Sequence, residues 1–287
     1  MYCWLSRLAL SSVFLAAVSV SHAQVETFTV SIKTVGDSFT PGAVLPNEIP
    51  GLLKIPAGGK VPVVLILHGS NGVDSRGDYY AQALNANGIA TLEIDMWKPR
   101  RVVGLSSRPK SFFDNLPDVW GAYLYLSNHP RVDKENIGVM GFSWGGILSV
   151  ITGFQGKPRN APDDLNLAKF KAIAPFYPSC TFMLGRARVP LSAKGPSGAP
   201  ILLHVGSRDD YDNEGDCAKL NAAFPTAPMR VVILEGATHG FDGTTSSTFF
   251  DPLAKDGRGS NIQVFPSQKA AEQARENVVK FFRDTLR

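Results

Sequence analysis

From about residue 61 onward the chain alternates between short, continuously apolar runs and longer stretches with helical spacing. Val61–Leu67 is apolar almost throughout, the pattern of a parallel strand covered on both faces. Similar runs predict strands at 88–94, 136–141, 171–177, 199–206 and 229–235. Between them, 78–87, 112–128 and 145–154 carry helical spacing, the second ending before Pro130. The last stretch, 272–287, is an amphipathic helix with Ala274, Val278, Phe281 and Phe282 on one side. Near the start, Val25–Lys33 alternates apolar and polar residues as an edge strand does, and 41–51, rich in Pro and Gly, reads as turns. Strands alternating with helices predict a doubly wound, mostly parallel α/β sheet with helices on both faces. In such sheets, sites gather beyond the C-terminal ends of the strands.

The first 23 residues follow a different pattern. Arg7 is the only charge before Glu26, and an apolar run from Leu8 to Val20 leads to Ser21-His22-Ala23. A charged start, an apolar middle and a small-x-small end predict a cleavable signal peptide over 1–23. The run is too short to span a bilayer, which needs about 20 residues. The remainder, 24–287, reads as one domain without repeats or linkers. Loss of Arg7 lowers the formal charge from +4 to +3. That mild, dispersed balance gives no reason to expect nucleic-acid binding. Loss of Cys3 leaves Cys180 and Cys217, an even pair that in an exported chain suggests a disulfide. A periplasmic or secreted protein without membrane attachment is expected, as a monomer or weak homo-oligomer.

The strongest chemical motif is Gly141-Phe142-Ser143-Trp144-Gly145-Gly146, lying between a predicted strand and a predicted helix. A sharp strand-to-helix turn projects a serine hydroxyl, and the glycines let the backbone turn and the helix pack closely. A serine needs a base to become a nucleophile. His239 lies in a glycine-flanked loop after the strand ending at Glu235, whereas His129 sits at a helix end and His204 inside an apolar strand, as a satisfied core residue. His239 is therefore the expected base. The third member should be a carboxylate beyond the preceding strand; Asp209 is favoured as closest to the strand end, over Asp210 and Asp212. Oxyanion donors are expected from the backbone N–H of Trp144 and from the loop His68-Gly69-Ser70-Asn71-Gly72, with Ser70 preferred to Asn71. His68 is expected to brace that loop.

These segments, with His129-Pro130-Arg131-Val132-Asp133, Gly206-Ser207-Arg208-Asp209 and Thr238-His239-Gly240-Phe241, resemble the dienelactone hydrolase family. The resemblance runs from about residue 50 to the end and implies an α/β-hydrolase fold with a triad of Ser143, Asp209 and His239. One departure matters: dienelactone hydrolases proper carry a cysteine nucleophile where this chain has Ser143. That favours general ester hydrolysis over dienelactone itself. The resemblance also implies that Cys180 and Cys217 are bridged near the C-terminal edge of the sheet.

The pocket should draw on the same loops. Asn71, Trp97, Arg101 and Tyr177 are expected to meet the substrate, with Phe142, Trp144 and Phe176 as further apolar walls. The basic run Lys98, Arg100, Arg101 suggests attraction of a carboxylate. No cofactor or metal is expected, since no phosphate loop, dinucleotide fingerprint or metal-ligand spacing occurs. Hydrolysis of a small carboxylic ester or lactone is the leading expectation. A serine exopeptidase of the same fold and a non-catalytic binding protein on that scaffold are the alternatives.

Overall fold

The computed structural model describes residues 24–165 and 168–287, and the apolar runs form the middle of one eight-stranded sheet. The proposed signal peptide lies outside the described residues. The sheet strands are β1 (Val25–Lys33), β2 (Glu48–Pro56), β3 (Val61–Leu67), β4 (Ala90–Ile94), β5 (Val132–Phe142), β6 (Ala172–Phe176), β7 (Ile201–Gly206) and β8 (Met229–Leu234). Their order is β1-β2-β4-β3-β5-β6-β7-β8. Every pairing from β4 to β8 is parallel, while β2 runs antiparallel to both β1 and β4.

Alternation along β3 sends Val63, Leu65 and Leu67 to one face and Val64 and Ile66 to the other, and all five are fully buried. The first face is covered by α2 (Leu116–Ser127) and α3 (Trp144–Gly153), the second by α1 (Ser75–Ala86) and the C-terminal helix. Two short helices, α4 (Cys180–Leu184) and α5 (Arg188–Lys194), follow β6, and α6 (Asp216–Ala223) connects β7 to β8 and packs on the first face. A hairpin of β9 (Ser247–Asp251) and β10 (Ser260–Val264) encloses the short helix α7 (Ala254–Gly257) before α8 (Gln268–Thr285) ends the chain.

The expected turn at 41–51 is corrected: its last four residues open β2. Pro50 and Gly51 disguise the strand. Pro50 stands at the very end of the pairing with β4, where its carbonyl still accepts the Asp95 N–H at 2.9 Å, so its missing N–H costs the ladder only a terminal bond. The helix expected over 112–128 begins with a 3-10 turn at Phe112–Asn115, and α2 follows.

His204 is in the core as expected, but it is not satisfied. It is fully buried, both ring nitrogens lack partners among the described residues, and it lies stacked on Phe176 with ring centres 4.7 Å apart. Burial lowers its pKa to about 3, with Arg230 acting in the same direction. The unfolded chain therefore binds this proton first, near pH 6.5, and the native state resists it until about 3. The penalty is absent above pH 6.5 and grows as pH falls. The buried carboxyls of Glu93 and Asp212, both raised to about 7 by burial, work in the opposite sense and mask the effect in the wild type. The difference between variants isolates it. His204→Leu should gain stability relative to wild type below pH 6.5, by up to about 1.4 kcal/mol per pH unit, in urea unfolding at pH 7.5, 6 and 5. A pH-independent difference would show that His204 carries no such penalty.

Candidate active site

Ser143 caps the junction of β5 and α3 with φ 50° and ψ −106°, a conformation rare for a residue with a side chain. Close packing enforces it. A Cβ on Gly145 would run into the Leu67 carbonyl, and one on Gly141 into the carbonyl of Gly145. The Ser143 N–H donates to the Phe176 carbonyl at 3.0 Å, fixing the turn to β6. The hydroxyl is half-buried at the C-terminal side of the sheet.

His239 and Asp209 converge on it. His239 Nε2 lies 2.9 Å from Ser143 Oγ, and His239 Nδ1 lies 2.9 Å from Asp209 Oδ2. Both residues are buried. Asp210 instead accepts the Gln263 N–H at 2.9 Å, and Asp212 accepts the Thr181 N–H at 2.8 Å. Asp209 is thus the carboxylate that meets the imidazole. Its neighbour Asp212 is raised to about 7 by burial and then by the charge of Asp209, so one negative charge is favoured there over two.

The histidine is packed between two aromatic rings. Tyr177 meets it edge-on at 4.8 Å and Tyr211 is tilted over it at 4.3 Å. Burial, then the nearby charge of Asp242, raises the Tyr177 phenol well above its ordinary range. Tyr177 therefore donates to Asp242 Oδ1, while Tyr80 donates to Asp242 Oδ2 at 2.9 Å. Arg76 donates to the Tyr177 hydroxyl at 3.3 Å and is ion-paired to Asp74. Asp242 stands three residues after His239, so this network anchors the histidine loop to β6 and α1.

The loop after β3 is braced as expected. His68 Nδ1 meets the Gly69 carbonyl at 2.8 Å, and Nε2 accepts the Met96 N–H at 2.9 Å. Burial lowers the His68 pKa to about 4, so it is neutral and able to accept. Trp97 Nε1 donates to the Ser70 carbonyl at 3.0 Å, and Arg108 Nη1 to Ser70 Oγ at 2.8 Å. Across the site, the Trp144 N–H opens α3, where helix geometry leaves it without an intrahelical partner.

Two cavities meet at this point, and Ser70, Ser143, Tyr211 and His239 line both. The first, about 290 Å³, has walls of Phe112, Trp144, Ile147 and Phe182, with Arg108, Lys110 and Arg186 among its polar residues. The second, about 370 Å³, includes Asn71, Asp74, Arg76 and the Thr244-Thr245 turn. Of the residues expected to meet substrate, Asn71 lines the second cavity and Tyr177 the first, with its hydroxyl engaged by Asp242. Trp97 lines neither and serves as a strut under Ser70. Phe142 and Phe176 lie in the core beneath.

The basic run is not brought to the site. Arg101 is exposed in a left-handed cap, and Arg100 forms a buried ion pair with Asp118 at 2.7 Å. Asp118 accepts from Asn115 at 2.9 Å, and Asn115 Oδ1 accepts the Trp144 indole N–H at 3.1 Å. Arg100 therefore holds a cavity wall from behind. Residues that the sequence reading missed, Tyr211, Arg108 and Asp242, sit two residues after Asp209, in an irregular loop, and three after His239; only the short spacings to Asp209 and His239 offered a cue.

Cys180 and Cys217 form a disulfide between α4 and α6. It closes a loop with a sequence separation of 37, worth about 4 kcal/mol in the chain-entropy model. Among the described residues, Cys180, Asp212 and Cys217 are the only donors grouped as metal ligands would be, and the bridge occupies both sulfurs. No helix among the described residues is long and apolar enough to cross a membrane.

The model of the dienelactone hydrolase family matches residues 49–286. The chain belongs to the dienelactone hydrolase family. Membership makes it a hydrolase of the carboxylic-ester and lactone kind. A curated relative from a Bradyrhizobium species, named "Probable 2-oxo-3-(5-oxofuran-2-ylidene)propanoate lactonase", is 24% identical over 217 residues, 72% of this chain and 84% of that one. Among solved structures, the dienelactone hydrolase-like promiscuous phosphotriesterase P91 from metagenomic libraries has a TM-score of 0.67 at 17% identity, covering 92% of this chain and 99% of its own. Dienelactone hydrolase from Anabaena variabilis has a TM-score of 0.59 at 21% identity, covering 92% and 100%. At these identities the solved relatives bear on fold alone.

Arg100→Ala should cost about 3–5 kcal/mol by stranding Asp118, whereas Arg101→Ala should stay within about 0.5 kcal/mol. Chemical unfolding of both variants checks this. Equal stabilities would remove the strut role of Arg100.

Proposed function

We propose that this dienelactone hydrolase family member cleaves carboxylic esters or lactones through an acyl-enzyme on Ser143. The observation that carries the reading is the continuous line Asp209–His239–Ser143, with both links at 2.9 Å. His239 Nε2 takes the Ser143 proton as Oγ attacks the carbonyl carbon. Asp209 holds the ring with Nδ1 protonated and steadies the imidazolium. The oxyanion is met by the N–H groups of Trp144 and Ser70, one at the positive end of α3 and the other on the loop fixed by His68, Trp97 and Arg108. The imidazolium then passes its proton to the leaving alcohol oxygen. Water, deprotonated by His239, attacks the acyl carbon, and Ser143 leaves with the proton as the acid is released. None of these steps calls on a cofactor.

A small ester or lactone fits cavities of a few hundred Å³. The disulfide suits an oxidising compartment, in accord with export to the periplasm or beyond by a cleaved segment at 1–23.

A fluorophosphonate probe should label Ser143, as mapped by mass spectrometry, and labelling should vanish in His239→Ala. Asp209→Asn should lower kcat on a p-nitrophenyl ester on the order of 10⁴-fold, while Asp210→Asn should change it by less than about threefold. A folded protein that is not labelled would overturn the proposal.

A further inference from the structure

We propose that the two cavities divide the substrate: the first takes a flat, apolar acyl group and the second a polyhydroxylated alcohol, as in a sugar ester of an aromatic acid. This rests on the reading of Ser143 as nucleophile.

The first cavity is walled by rings in mutual contact. Phe112 lies 4.1 Å from Trp144 and 4.8 Å from Phe182, centre to centre. Apart from Lys110, its charged side chains are engaged within the protein. Arg108 is held by Ser70 and by Asp251 at 3.5 Å, Tyr211 donates to Asp251 at 2.8 Å, and Arg186 pairs with Asp256 at 3.4 Å. What remains open to a ligand is mostly carbon, which suits an aromatic or branched acyl group.

The second cavity has Leu105, Phe249 and Val264 in its lining but adds a set of unpaired polar side chains. Asn71, Ser75, Thr244, Thr245 and Ser247 contribute hydroxyls and an amide, and none of these side chains has a hydrogen-bond partner among the described residues. An alkyl alcohol seated there would strip water from these groups and return no hydrogen bond. An alcohol with several hydroxyls replaces each lost water contact.

The position of His239 sets the orientation. One side of the second cavity is His239's own loop, with Gly240, Gly243, Thr244, Thr245 and Ser247 in its lining. The group that leaves must present its oxygen to His239 Nε2 for protonation, and the alcohol therefore belongs on that side. The acyl group, held by Ser143 beside the Trp144 N–H, belongs with the ring-lined cavity on the α3 side.

The test compares kcat/KM for three esters: glucose 6-(3-phenylpropanoate), butyl 3-phenylpropanoate and benzyl gluconate. The sugar ester should exceed the butyl ester by about tenfold or more, and the reversed benzyl gluconate should be the poorest. The double variant Thr244→Val/Thr245→Val, at exposed positions and checked for folding by its thermal melt, should lower the sugar-to-butyl ratio at least about fivefold. A ratio near one, a ratio indifferent to the double variant, or preference for benzyl gluconate would overturn the division. Cleavage of none of the esters together with absent labelling at Ser143 would instead overturn the nucleophile itself.

Discussion

The backbone turn at Ser143 is the constraint on which the rest of the molecule depends. A residue held at φ 50° and ψ −106° stores strain on the order of 1–3 kcal/mol. Such a conformation persists only where the surroundings leave no alternative. Here β5 enters from the centre of a sheet covered on both faces, and α3 leaves so close to β3 and β6 that the carbonyls of Leu67 and Phe176 occupy the space a side chain would need at Gly145 and Gly146. The central apolar strands are thus the abutment against which the strained serine is pressed.

Around that turn, charged and polar groups do structural work more often than their proximity suggests. Arg76, Arg100 and Arg108 all lie near the site, and each is bound to a carboxylate of the chain: Asp74, Asp118 and Asp251. Each also reaches one element of the site: Arg76 the hydroxyl of Tyr177, whose ring lies beside the histidine, Arg100 the Trp144 wall through Asp118 and Asn115, Arg108 the side chain of Ser70. Pairing makes burial of the guanidinium tolerable, and its several donors in a rigid fork let one residue span a counter-ion and a site residue at once.

The same distinction explains what could be read from the sequence. Strand periodicity, the elbow motif and the order Ser143, Asp209, His239 are local or follow topology, and they were readable. The edge strand β2 was not, because Pro50 and Gly51 carry turn chemistry while its pairing with β1 and β4 is non-local. The hairpin β9–β10 gave too little periodicity to register. Arg100 and Arg101 are adjacent in sequence, yet one points into a buried ion pair and the other to solvent; only the position of Asp118 on α2 decides between them. Likewise His204 reads as a partnered core residue until the neighbouring strands are placed, and they set Phe176 and Val232 beside it, neither with a polar side chain.

The disulfide region has a consequence for how this site can vary. Thr181 donates its N–H to Asp212 and its hydroxyl to Asp216 at 2.6 Å, and the next residue, Phe182, is a wall of the ring-lined cavity. That wall and the acid-bearing loop therefore move as one piece. Lineages that reshape this cavity by altering α4 would disturb the histidine's carboxylate at the same stroke. The turn at Thr244-Thr245, by contrast, projects without such ties, and diversification of specificity has its freest path there.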